Sequence, residues 1–87
     1  MISEKVTILN ETGLHARPAS VFVNTAAKFA SNLTIQKGEK QINAKSILAV
    51  LSLGISKGTE ITITAEGPDE EEALSQLIEL IKMNINE

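Results

Sequence analysis

The chain has no cysteine, no tryptophan and no tyrosine, and it carries one histidine, two phenylalanines and two prolines in 87 residues. Without cysteine there are no disulfides, no thiol nucleophile and no thiolate metal site, as suits a reducing compartment. A metal would need carboxylates and one imidazole as ligands. No acidic cluster has that spacing, so neither a metal nor another cofactor is expected. The scarcity of aromatics argues against base stacking, and eight basic against eleven acidic residues, with a pI near 5.1, argue against nucleic-acid binding. No apolar run approaches the ~20 residues that cross a bilayer, so no membrane insertion and a cytoplasmic location are expected. A chain this short makes one small domain, residues 1–87, burying only ~60–65% of its unfolded surface. Such a domain has no room for a deep enclosed site. Shallow surface chemistry with a partner fits it better.

Against this background the most informative segment is Gly13-Leu14-His15-Ala16-Arg17-Pro18-Ala19. Glycine permits a sharp turn, and proline belongs in the first turn of a helix. His15 is therefore expected at a helix N-terminus, where unpaired N–H groups and the macrodipole favour negative charge. Arg17 adds a permanently cationic fork close by. A nucleophilic nitrogen facing an anion-binding pocket, with the amides of Ala16 and Arg17 as donors, is suited to transient phosphoryl transfer. A lone histidine is more often a solvated loop residue; the flanking glycine, arginine and proline reverse that preference. Pro18 needs no role beyond starting the helix.

The periodicities switch along the chain. Residues 2–9 alternate as a strand, and Ala19, Phe22, Val23, Ala26, Ala27 and Ala30 recur at helical spacing, predicting a helix over roughly 16–30. Gly38-Glu39 reads as a two-residue hairpin loop between strands. Ser46–Leu53 reads as a short helix stopped by Gly54, and Thr59–Ala65 is the clearest strand. After Gly67-Pro68, Asp69 is placed to cap a last helix with Glu72 completing the box, and Ala73, Leu74, Leu77, Ile78, Ile81 and Ile85 form its apolar stripe. The order strand, helix, strand, strand, helix, strand, helix predicts an α+β open-faced sandwich. In it a four-stranded antiparallel sheet carries three helices on one face, in split βαβ order. Thr34, Gln36, Thr62 and Thr64 would line the open face.

The His15 loop, the segment Asn43-Ala44-Lys45-Ser46-Ile47-Leu48 and this element order together resemble the HPr family. These are the histidine-containing phosphocarriers of the bacterial phosphoenolpyruvate-dependent sugar phosphotransferase system (PTS). The likeness runs over essentially the whole chain. It implies that His15 is loaded by phospho-enzyme I and discharged to PTS IIA domains. The chain would then be a carrier and the substrate of both transfers rather than an enzyme. Ser46 matches the position that an ATP-dependent HPr kinase/phosphorylase modifies in low-GC Gram-positive members, creating a form bound by a transcriptional regulator. The positions of Ile47, Leu48 and Leu51 are those that contact enzyme I and other partners. Ala49 departs from the glycine or lysine of many relatives, which blurs partner assignment.

A nucleophilic imidazole must be neutral, and its ordinary pKa of about 6.5 lies close to cellular pH. A helix N-terminus opposes the cation by ~0.3–1 kcal/mol, and Arg17 acts in the same sense. A depressed pKa is expected for free His15 and a raised one for its phosphorylated form. Ser46 is equally well explained as a helix cap, a place where an added phosphate changes charge without breaking the helix. On a helical wheel Ile47, Val50 and Leu51 share a face with Leu48 at its edge, so part of this apolar set should be exposed. A nitrogen- or signalling-type paralogue would keep the His15 loop, whereas a relative working only through Ser46 would not need it. An inert ferredoxin-like binding module would treat His15 as incidental. Nothing in the sequence calls for more than a monomer.

Overall fold

The computed structural model describes residues 1–9 and 16–82. Its elements are β1 (Ile2–Thr7), α1 (Ala16–Ala26), β2 (Asn32–Lys37), β3 (Lys40–Asn43), α2 (Ile47–Ser52), β4 (Glu60–Glu66) and α3 (Glu70–Lys82). The four strands form one sheet in the order β1-β4-β2-β3, every neighbouring pair antiparallel. This is the expected α+β open-faced sandwich.

Alternation explains the sheet. Leu33 and Ile35 of β2 and Ile61, Ile63 and Ala65 of β4 are buried on one side, where they meet Phe22, Val50, Leu74, Leu77, Ile78 and Ile81 of the helices. The alternate residues Thr34, Thr62 and Thr64 are only half-buried and Gln36 is exposed, as the sequence suggested for the uncovered face. Register follows from the same pattern, because a one-residue slip would turn every isoleucine outward. Ile35 faces Ile42 across one edge and Ile63 across the other. The β2–β3 hairpin closes through Gly38-Glu39 with Gly38 at φ 61°, a left-handed conformation that glycine adopts without strain.

Two local expectations are corrected. The helix predicted over 16–30 ends at Ala26; Ala27 and Ala30 are exposed, and the chain leaves through tightened turns from Lys28 N to Thr25 O and Phe29 N to Ala26 O. The second correction gives the reason. The Asp69 carboxylate does not cap α3 with Glu72 as its partner. It accepts hydrogen bonds from the backbone N–H of Ala30 (2.9 Å), that of Ser31 (3.0 Å) and the Ser31 hydroxyl, pulling the chain out of α1 and into β2. Glu70 instead closes the start of α3, its Oε1 accepting from Gly67 N at 3.1 Å while Oε2 lies 3.3 Å from the N-terminal ammonium.

The Ser31 hydroxyl first, with the Ala30 and Ser31 amides, holds the Asp69 carboxyl below its ordinary value. The Gly67 amide first, then the N-terminal ammonium, does the same for Glu70. Gly67 is required here by contact. A Cβ on it would lie 2.6 Å from Ser31 Cα, and its φ of 155° is one that side chains rarely adopt. Ile85, expected on the α3 stripe, lies outside the described residues.

Candidate functional site

α1 begins at Ala16, the residue that follows His15 in the sequence. His15 itself, with the preceding loop, lies outside the described residues. Pro18 sits in the first turn of α1, buried, where its fixed φ suits the helix and its missing N–H costs nothing. The N–H groups of Ala16 and Arg17 are among the four that an α-helix leaves without an internal acceptor. No acidic residue stands in the first turn of α1, and Arg17 is exposed. The first turn of α1 thus carries the positive end of the helix dipole, an exposed guanidinium and no acid, which favours an anion there.

α1 packs against α2, so the helix bearing Arg17 and the helix introduced by Ser46 are neighbours. Ser46 is the N-cap of α2: its backbone is extended and its Oγ accepts from Ala49 N at 3.3 Å. It is half-buried, not sequestered. The approach to this cap is ordered locally, with Asn43 Oδ1 accepting from Lys45 N at 2.9 Å. Beyond it, α2 inserts Val50 into the core and leaves Ile47 partly buried against it, while Leu48 is 77% and Leu51 37% exposed. The wheel reading of Leu48 as an edge residue therefore holds. Leu53, off that face in the wheel reading, is buried as the C-cap residue.

Sequence reasoning passed over Val21. It stands one helical turn beyond Arg17 and is 38% exposed. Its displacement from the stripe of Ala19, Phe22, Val23 and Ala26 was the available signal. Leu48, Leu51 and Val21 are three of the five large apolar residues exposed among those described. Among the described residues no group of three or more His, Cys, Asp or Glu side chains is arranged to hold a metal ion.

The element order on which the sequence resemblance partly rested is the one observed, with Arg17 and Ser46 at the starts of two neighbouring helices. A family model described as the PTS HPr component phosphorylation site matches residues 2–83. The chain belongs to the HPr family. It is 44% identical over 85 residues to the HPr-like protein Crh of Bacillus subtilis, covering 98% of this chain and 100% of Crh. The crystal structure of HPr-C-His from Thermoanaerobacter tengcongensis superposes with a TM-score of 0.97 at 48% identity, over 100% of this chain and 98% of the other. An HPr dimer from the same organism gives a TM-score of 0.81 at 48% identity, with both chains fully covered at 100%. Membership in the HPr family makes this a phosphocarrier-type protein. None of the helices, among the described residues, is long and apolar enough to cross a membrane.

Proposed function

We propose that this chain is a cytoplasmic PTS phosphocarrier, acting as one HPr domain, that takes a phosphoryl group from phospho-enzyme I onto His15 and passes it to IIA domains for sugar uptake. The observation that carries the reading is the start of α1 at Ala16, immediately after the only histidine, with exposed Arg17 in a first turn free of acid. In the loading step a ring nitrogen of neutral His15 attacks phosphorus. A nitrogen–phosphorus bond forms as the bond to the donor breaks, and the donor keeps the electron pair. The new anion is then met by the Ala16 and Arg17 amides and the Arg17 guanidinium, the groups that disfavoured an imidazolium beforehand. Discharge reverses the sequence on a IIA acceptor. The chain turns nothing over by itself; it is consumed and regenerated as substrate.

Ser46 supplies a second control point. A phosphate on the N-cap of α2 lies at the positive end of a helix and beside exposed Leu48, so it should leave the helix intact while placing charge in an apolar docking face formed by Ile47, Leu48 and Leu51. HPr kinase/phosphorylase would add it, and a transcriptional regulator would recognise the product. The likeness to Crh favours giving this regulatory role weight, whereas the retained His15 favours carriage as well. The monomer is taken as the working state, to be checked by light scattering because a relative forms a dimer.

The test is incubation with phosphoenolpyruvate and enzyme I, followed by mass spectrometry. An acid-labile, base-stable phosphate that disappears in His15→Ala is expected. A chain that stays unmodified, or is modified equally in His15→Ala, contradicts the proposal. Incubation with ATP and the kinase examines Ser46 independently, with Ser46→Ala as its control.

A further inference from the structure

The short helix α2 cannot fix its own position. It has six residues, well under the ~12–15 at which isolated helices become stable, and it places only Val50 wholly in the core. Neither α1 nor α2 carries a basic residue in its last turn, although α3 has Lys82 there. The cations that the two helix ends lack arrive from elsewhere in the chain. Lys37, the last residue of β2, is half-buried and donates from Nζ to the carbonyls of Leu53 (2.8 Å) and Gly54 (3.3 Å), at the C-terminal end of α2. Lys45, in the linker between β3 and α2, donates from Nζ to Phe29 O at 2.7 Å, in the turn that closes α1. One lysine thus ties the far end of α2 to the sheet. The other ties its near end, one residue before the Ser46 cap, to the tail of α1.

We infer that Lys37 and Lys45 are positioning residues, two straps that hold α2 in register with α1 and so fix the docking face formed by Leu48, Leu51 and the first turn of α1. The inference rests on the docking role proposed above. The three carbonyls lie at or just past helix C-termini, where negative partial charge concentrates, so an ammonium there is favoured electrostatically as well as by the hydrogen bond. Each contact spans 16 residues or more, so each joins elements that no local preference brings together. Neither ammonium needs to touch a partner. Each acts by keeping exposed side chains of α2 at a fixed distance from the phosphoryl site.

The variants Lys37→Met and Lys45→Met keep the apolar stem and remove the charge and the donors, and Lys40→Met, at an exposed lysine of the same hairpin, is the control. Amide hydrogen exchange by NMR and the kinetics of phosphorylation by phosphoenolpyruvate-charged enzyme I are measured on each. The α2 amides should exchange about three- to fivefold faster in Lys37→Met, and KM for the carrier should rise by a similar factor with kcat unchanged. Lys45→Met should show the same at the Phe29–Ser31 turn and the first turn of α2, while α3, the sheet and the control stay at wild-type rates. Uniform acceleration across all elements, unchanged α2 protection, or faster exchange with an unchanged KM each overturns the inference. Should the wild-type chain accept no phosphoryl group, the carrier reading fails by itself, and the exchange measurements still decide whether the lysines anchor α2.

Discussion

α3 and α2 pack on the same side of the sheet, yet they are held there by different means. α3 has thirteen residues, five of them buried, three glutamates in its first turn and Lys82 in its last. Its sequence contains its own charges for both ends and a continuous apolar stripe for the core. α2 has six residues, one of them buried, and no charged residue at either end. It depends on Ser46 before it, Lys37 from a strand and Lys45 from a linker. A helix that spends its apolar residues on the core is structural. A helix that leaves Leu48 77% exposed while borrowing its anchors keeps apolar surface free for the docking role proposed above.

The contrast can be broken most severely in α3. Leu77 is fully buried, and Leu77→Ala should cost about 2–5 kcal/mol, read as a lowered midpoint in urea unfolding. Gly67→Ala comes next, since its Cβ would strike Ser31 Cα at 2.6 Å; a loss of about 2–3 kcal/mol is expected by the same measurement. Ser46→Ala removes the cap of α2 and should cost about 1 kcal/mol while abolishing phosphorylation by ATP and the kinase.

Acid sharpens the comparison through two carboxylates at the start of α3, Asp69 and Glu70. The folded-state pKa values of Asp69 and Glu70 lie below their ordinary values of 3.8 and 4.5. Their stabilisation is therefore complete above those values and is lost as the pH falls through the lowered folded ones. The Tm of the wild type should drop across that window, and Asp69→Asn should show a shallower acid dependence. Leu48→Ala should have the smallest effect on stability, within about 0.5 kcal/mol, yet weaken enzyme I docking, measured by calorimetry.

What was legible in the sequence was local. The alternation of β4, the Gly38-Glu39 turn, the stripe of α3 and the cap of α2 each need only near neighbours, and each stands close to its expected place. Asp69 was misread because its composition suits a cap, whereas the partners that claim it are the Ser31 hydroxyl and amide, 38 residues earlier, and the Ala30 amide. The overrun of α1 has the same origin: Ala27 and Ala30 fit a helical period, and the partners that meet the chain after Ala26, Asp69 and Lys45, are distant in sequence. Lys37 and Lys45 were not singled out, because nothing local in the sequence signals the carbonyls they reach. In the site, Arg17 and Ser46 were readable from position relative to a helix start, and the exposure of Leu48 from the wheel. Val21 was hidden by the apolar residues beside it.

Discharge is the step that a carrier must perform and a merely modifiable protein need not. The chain is loaded on His15 with labelled phosphate, freed of enzyme I and mixed with a purified IIA domain. The label should leave His15 and appear on the IIA domain, and Arg17→Ala should slow the transfer. Label that stays on the chain, or is lost only to water, would contradict phosphoryl carriage.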